Sequence, residues 1–159
     1  MTRITTLPGA CEDEALVTYV TLRLDGQLIG LPIGQVKDVF QVQAITPVPL
    51  AHPALIGLTN LRGRIIMVFS LAGLMGLDRP EPGPARLAVG VTWRGETCGI
   101  QTTSVGDVIE IAAHLGEPPP RTLSPVWARH ARRMFRLNDE LMIELDVTSL
   151  LDMPPMLAA

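Results

Sequence analysis

The feature that most constrains this chain is a repeat within it. The stretch "YVTLRLDGQLIGLPIGQVKDVFQV", Tyr19 to Val42, aligns without a gap to "AVGVTWRGETCGIQTTSVGDVIEI", Ala88 to Ile111, at an offset of 69. Val20, Gly26, Gly30, Val36, Asp38 and Val39 meet Val89, Gly95, Gly99, Val105, Asp107 and Val108. Downstream, "RGRIIMVFSLAGL" parallels "NDELMIELDVTSLL" at an offset of 76. Each half therefore ends in a tight turn, a strand and a short leucine-rich segment. The 159 residues predict two similar units, each too small to be comfortable alone, sharing a core.

Each unit reads as β. In "LVTYVTLRL" the residues Leu16, Thr18, Val20, Leu22 and Leu24 share one face, and Tyr19, Thr21 and Arg23 point the other way, the pattern of a half-buried strand. Asp25-Gly26 and Arg94-Gly95 stand where hairpin turns are needed. From Arg64 to Leu71 the strand is apolar on both sides, Ile65, Met67 and Phe69 against Ile66 and Val68. That predicts cover on both faces and a place between the units. Its counterpart keeps Leu141, Ile143 and Leu145 on one face and Glu140, Glu144 and Asp146 on the other, a half-solvated strand. Short strands with Gly and Pro turns suggest small barrels. The proline-rich "RPEPGPAR", Arg79 to Arg86, marks the boundary between halves.

Composition narrows the chemistry. The net charge of -3 gives no pull toward nucleic acid, and the basic cluster "WARHARRMFR", Trp127 to Arg136, reads as a solvated helix face or a protein contact. Cys11 and Cys98 form no CxxC spacing, so neither a disulfide framework nor a zinc site is indicated, and a reducing cytoplasm is expected. "MTRITTLPGACEDEAL" has no apolar secretory core and reads as a loose tail. The uncharged run from Val39 to Leu61 holds Pro47, Pro49 and Pro53, which argues against a membrane span. GxSxG, HExxH, GxxxxGK[ST] and GxGxxG are all absent, and His52, His114 and His130 are scattered. No catalytic, cofactor or metal residue is assigned, and the expectation is a protein that is not an enzyme.

What remains is the tip "TNLRGR". Gly63 relieves strain at a turn, and Arg62 beside it either points into water or serves an interaction surface, where its planar fork makes directional bonds while its stem packs. The residues alone leave both readings open.

"PALIGLTNLRGRIIMVFSL" resembles the signature segment of the CheW family of bacterial chemosensory adaptors, and "VKDV" and "CGIQTTSVGDV" resemble two further family segments. The similarity covers about Leu16 to Leu151. It implies a mainly β fold of two five-stranded barrels on a shared hydrophobic core, with short helices and no cofactor. The boundaries it implies are a tail at 1–15, a domain at 16–151 and a tail at 152–159. Within the domain lie barrels at about 16–78 and 86–145 and a short helix at 146–151. It also implies coupling of a methyl-accepting chemoreceptor to a CheA-type histidine kinase, in the cytoplasm at receptor clusters, without nucleic acid or membrane insertion. Val36, Gly57, Asn60, Arg62 and Gly63 carry over as receptor contacts, and Arg133 and Thr103 as kinase-side positions. The chain departs from the family pattern in four places. Pro53-Ala54-Leu55-Ile56-Gly57 is one residue short and lacks an aromatic, Ser70 and Thr103 stand where Asp is preferred, and Arg133 stands where Gly is common. These departures leave two alternatives to the coupling role: an accessory protein that binds receptor but not kinase, with Arg133 an unpaired cation at a close-packed contact, or a generic small-barrel interaction module.

Overall fold

The structure, a computed structural model, describes residues 4–6, 15–49, 54–77, 87–102 and 104–152. Thr103, Pro53, Cys11 and His52 lie outside the described residues, as do most of the two expected tails. Ile4–Thr6, expected in the first tail, form strand β1. Ten more strands follow: β2 Leu16–Leu24, β3 Gln27–Pro32, β4 Val36–Gln41, β5 Leu55–Leu61, β6 Arg64–Ser70, β7 Leu87–Trp93, β8 Glu96–Thr102, β9 Ser104–Ala112, β10 Ala131–Leu137 and β11 Glu140–Leu145. Three short helices, α1 Leu71–Leu74, α2 Pro125–His130 and α3 Val147–Leu151, complete the described elements. The repeat is visible in this order, since β4, β5, β6 and α1 recur as β9, β10, β11 and α3.

The strands form two sheets, ordered β1-β9-β2-β3-β11-β10 and β4-β7-β8-β6-β5. Apart from β1, the two orders are the same pattern with the halves interchanged. Each sheet takes a hairpin from one half and three strands from the other. The compact units are accordingly Met1–Gly34 with Ser104–Asp146, and Gln35–Thr103 with Val147–Ala159. This differs from the expected division at 16–78 and 86–145. The physical reason is that a lone hairpin is marginal, and β2–β3 and β7–β8 find their further partners in the opposite half. β3 pairs in parallel with β11, Leu28 opposite Met142, and β6 pairs in parallel with β8, Met67 opposite Cys98.

By strand order neither sheet is a closed ring, but one bridge draws each toward a barrel. In the second unit Thr46 and Leu58 exchange two backbone hydrogen bonds, each 2.8 Å. In the first, Glu117 and Met134 do the same at 2.8 and 2.7 Å, reinforced by Arg136 on Glu117 at 3.3 Å. The turns match as well. Asp25-Gly26, Arg62-Gly63 and Arg94-Gly95 all carry positive φ at both central positions, the mirror-image turn whose twist suits a hairpin.

The first unit is filled by Tyr19, Leu28, Ile109, Ile111, Phe135 and Met142, with the Tyr19 and Phe135 rings 5.4 Å apart. Burying each such side chain contributes about 1.5–3 kcal/mol. Strand β2 is not half-solvated as its alternation suggested. Tyr19 packs against Phe135 and Met142, and Thr21 is buried along with Val20 and Leu22, so the polar ends of Tyr19 and Thr21 need partners. Thr21 donates to the Asp107 carbonyl at 2.6 Å, and the Tyr19 hydroxyl accepts from Arg133 Nη2 at 3.3 Å.

Strand β11 departs from its pattern too, because Glu144 is buried and Leu141 exposed. Arg133 explains the glutamate. It stands opposite Glu144 in the β10–β11 register and binds its carboxylate through Nε, while Nη1 reaches the Ala113 carbonyl at 3.4 Å. The guanidinium also lies 5.3 Å from the Phe135 ring. Glu144 is paired with a cation of its own unit. Arg133 is therefore not an unpaired charge waiting at a contact. The bond to Glu144 raises its pKa further.

The second unit packs Phe40, Val42, Ile66, Val68 and Ala88 together. Within β6 the apolar cover holds for Ile66, Val68 and Phe69 but fails at the turn end, where Ile65 is 74% exposed. Ile65 sits one residue beyond Arg64 on an edge hairpin, where the sheet no longer shields it.

Two outcomes follow from this architecture. Burial, and next the Glu144 charge, push the Tyr19 hydroxyl from 10.0 up to about 12. Its folded value lies above the unfolded one, so its contribution is complete below pH 10 and is lost as pH rises from 10 to about 12. Ultraviolet titration of the single tyrosine should show ionisation near the upper value in native protein and near the lower one in urea. Separately, a chain cut between Leu77 and Leu87 should give two halves that each lack dispersed amide resonances and that regain them on mixing. A half that folds alone contradicts the exchanged sheets.

Candidate partner-binding site

The tip between β5 and β6 is built by local chemistry. Arg62 has φ 52 and Gly63 φ 82, and the Gly63 N–H donates to Asn60 Oδ1 at 2.9 Å. Asn60 thus holds the turn from its own strand, a familiar use of asparagine. No heavy atom lies within 4 Å of where a Gly63 Cβ would stand, so glycine is needed there for its φ and not for space.

Arg62 points back across the unit. Its Nη2 lies 2.8 Å from Asp38 Oδ2 on β4, and Asp38 Oδ1 accepts from the Val39 N–H at 2.8 Å. The pair therefore joins the two edge strands of the sheet. Its side chain is still 78% exposed, and a surface pair of this kind contributes about 0–1 kcal/mol. The contact orients the guanidinium without burying it. Beneath lies a groove of about 370 Å³ lined by Phe40, Gln43, Thr59 and Asn60, where the Thr59 hydroxyl donates to the Ala44 carbonyl at 2.7 Å.

All five receptor-side candidates fall in this one unit, in different roles. Asn60, Arg62 and Gly63 form the exposed tip, and Val36 is half-buried on β4 two residues from Asp38. Gly57 is buried. A Cβ there would sit 2.4 Å from the Thr46 carbonyl oxygen and 2.6 Å from Ile45 Cγ2, so this glycine lets the closing segment lie against β5. Sequence reasoning missed Asp38 as the partner of Arg62, although its identity with Asp107 across the repeat marked it. Ser70, at a position where Asp is preferred, N-caps α1 by accepting from the Gly73 N–H at 3.2 Å, a task either residue performs.

The basic cluster near residue 130 is neutralised locally. Arg132 pairs with Asp146 at 3.9 Å, Arg136 with Glu117, and Arg133 with Glu144. Burial pushes the Cys98 thiol up to about 11, leaving no thiolate nucleophile near neutral pH. Among the described residues no group of three or more His, Cys, Asp or Glu is placed to hold a metal ion, and no helix is long and apolar enough to cross a membrane. The exposed feature of this unit is an arginine oriented by a carboxylate.

Residues 18–154 match the family model of the CheW-like domain. The chain belongs to the CheW-like family. Its CheW relatives include the chemotaxis protein CheW of Treponema pallidum, 28% identical over 91% of this chain and 86% of the relative. That of Thermotoga maritima is 25% identical over 92% and 93%. Among solved structures, the scaffolding protein TtCheW of Thermoanaerobacter tengcongensis superposes with a TM-score of 0.79 at 25% identity, covering 89% of this chain and 96% of that one. Its mainly β CheW architecture is the one described above.

Three substitutions separate the roles of these residues in urea or thermal unfolding. Arg62→Glu should change stability by no more than about 1 kcal/mol. Gly63→Val should cost about 1–2 kcal/mol because a β-branched residue is strained at φ 82. Arg133→Ala should cost about 3–5 kcal/mol by leaving Glu144 buried without its cation.

Proposed function

We propose that this chain is a non-catalytic adaptor of a chemosensory array that couples a methyl-accepting chemoreceptor to a CheA-type histidine kinase in the cytoplasm. The observation that carries this reading is the Asn60–Gly63 tip, an exposed arginine oriented by Asp38 on a turn that Asn60 and Gly63 fix. Membership of the CheW-like family supports it, as does a described surface whose features suit binding rather than chemistry. The receptor contacts Asn60, Arg62 and the half-buried Val36, while Gly57 and Gly63 act by shaping the backbone that presents them.

The accessory alternative drew most of its weight from Arg133 as an unpaired cation. With Arg133 bonded to Glu144, that weight is gone, and the coupling role is preferred. Arg133 acts inside its own unit, where it holds the buried Glu144.

Calorimetric titration against a receptor signalling tip and, separately, a CheA regulatory domain tests the reading. Both should bind the parent chain, and Arg62→Glu should weaken the receptor at least tenfold with an unchanged melting point. Kinase binding without receptor binding, or a receptor affinity indifferent to Arg62→Glu, overturns the assignment. Receptor binding without kinase binding restores the accessory role.

A further inference from the structure

The duplication gives each residue of the Arg62 tip a counterpart in the first unit. Asp38 corresponds to Asp107, Arg62 to Asn138, Gly63 to Asp139 and Arg64 to Glu140. The backbones agree at two points, although the second residue of the tip is left-handed only at Gly63, φ 82. Both β4 and β9 carry a bulge at the same place, between Val36 and Asp38 and between Val105 and Val108, each facing the equivalent hairpin strand. Both tips also place their first residue in the left-handed region, Arg62 at φ 52 and Asn138 at φ 36.

The side chains differ in sign. In the second unit an arginine guanidinium is held by Asp38 at 2.8 Å. In the first unit the arginine is missing, and among the described residues no cation meets the Asp107 or Asp139 carboxylate. Arg23, which lines the same groove, pairs with Glu140 at 2.9 Å. Between Asp107 and the Asn138 tip lies an open groove of about 680 Å³, whose floor includes Thr21 and Ser104, against about 370 Å³ at the Arg62 tip. The molecule therefore contains the same site twice, once with its guanidinium and once without.

We propose that the groove of the first unit receives an arginine side chain from a turn of a partner protein. The incoming guanidinium takes on Asp107 the place that Arg62 takes on Asp38, and Asp139 adds a second carboxylate at the rim. A planar fork matches a carboxylate better than an ammonium does, so arginine is preferred to lysine. This site is separate from the Arg62 tip, so it stands or falls independently of receptor binding.

The test uses the full chain, labelled with ¹⁵N, and a cyclised hairpin peptide copying residues 58–67, which presents an Arg-Gly turn. Amide shifts are expected in Ser104–Val108 and Leu137–Glu140, with affinity falling as salt is raised. Asp107→Asn should weaken the peptide at least tenfold. Asn138→Arg should do the same by filling the groove from within, with no loss of melting temperature, since Arg62 already occupies the equivalent backbone position. A peptide with lysine at the tip should bind more weakly, and one with norleucine should give no shifts. Shifts elsewhere on the chain, affinities that neither substitution changes, or no shifts at millimolar peptide overturn the proposal.

Discussion

Two parallel ladders, Leu28–Gly30 on Met142–Glu144 and Met67–Ser70 on Cys98–Gln101, hold the halves of this chain in one fold. Each is an inner pairing of its own sheet, and each joins a strand of the first half to one of the second. Parallel pairs need cover on both faces, which accounts for the buried runs of β3, β6, β8 and β11. The antiparallel pairings of β2 with β9 and of β4 with β7 join the halves as well and bring in the outer strands on the other side of each sheet.

The same logic explains why the tips are free to differ. A tight turn with its first residue in the left-handed region joins the strands at Arg62-Gly63 and at Asn138-Asp139, and neither tip contributes to a core. Charge at such a place changes little in stability, so the two copies keep one backbone and carry opposite signs. Positions that a fold holds still but does not need are where binding residues are commonly carried.

Much of this was legible in the residues. The offsets of 69 and 76 marked the recurring strands, Asp25-Gly26 and Arg94-Gly95 marked the turns, and the segment around Asn60 to Gly63 marked the family. Other features were not, because a single strand's pattern reports which faces are apolar and not what lies across from them. Glu144 on an alternating strand reads as solvated until Arg133 is found opposite it. Tyr19 reads as outward until Phe135 is seen packed against it, and Thr21 until its hydroxyl is seen on the Asp107 carbonyl. The division into units was hidden for the same reason, since a repeat shows that two halves are alike but not that they trade partners.

The parallel ladder between β3 and β11 also sets an order of assembly during synthesis. Gln27 bonds the Leu141 carbonyl across a separation of 114 residues, so the first unit stays unfinished until nearly the whole chain has emerged. The five strands of the second unit all lie between Val36 and Thr102 and become available much earlier. Until β11 arrives, the β2–β3 hairpin carries an unsatisfied edge of the kind that captures stray strands. The β2–β3 hairpin waits for β11 across more than a hundred residues of synthesis, and that wait as an open edge is when this sheet is most in need of protection.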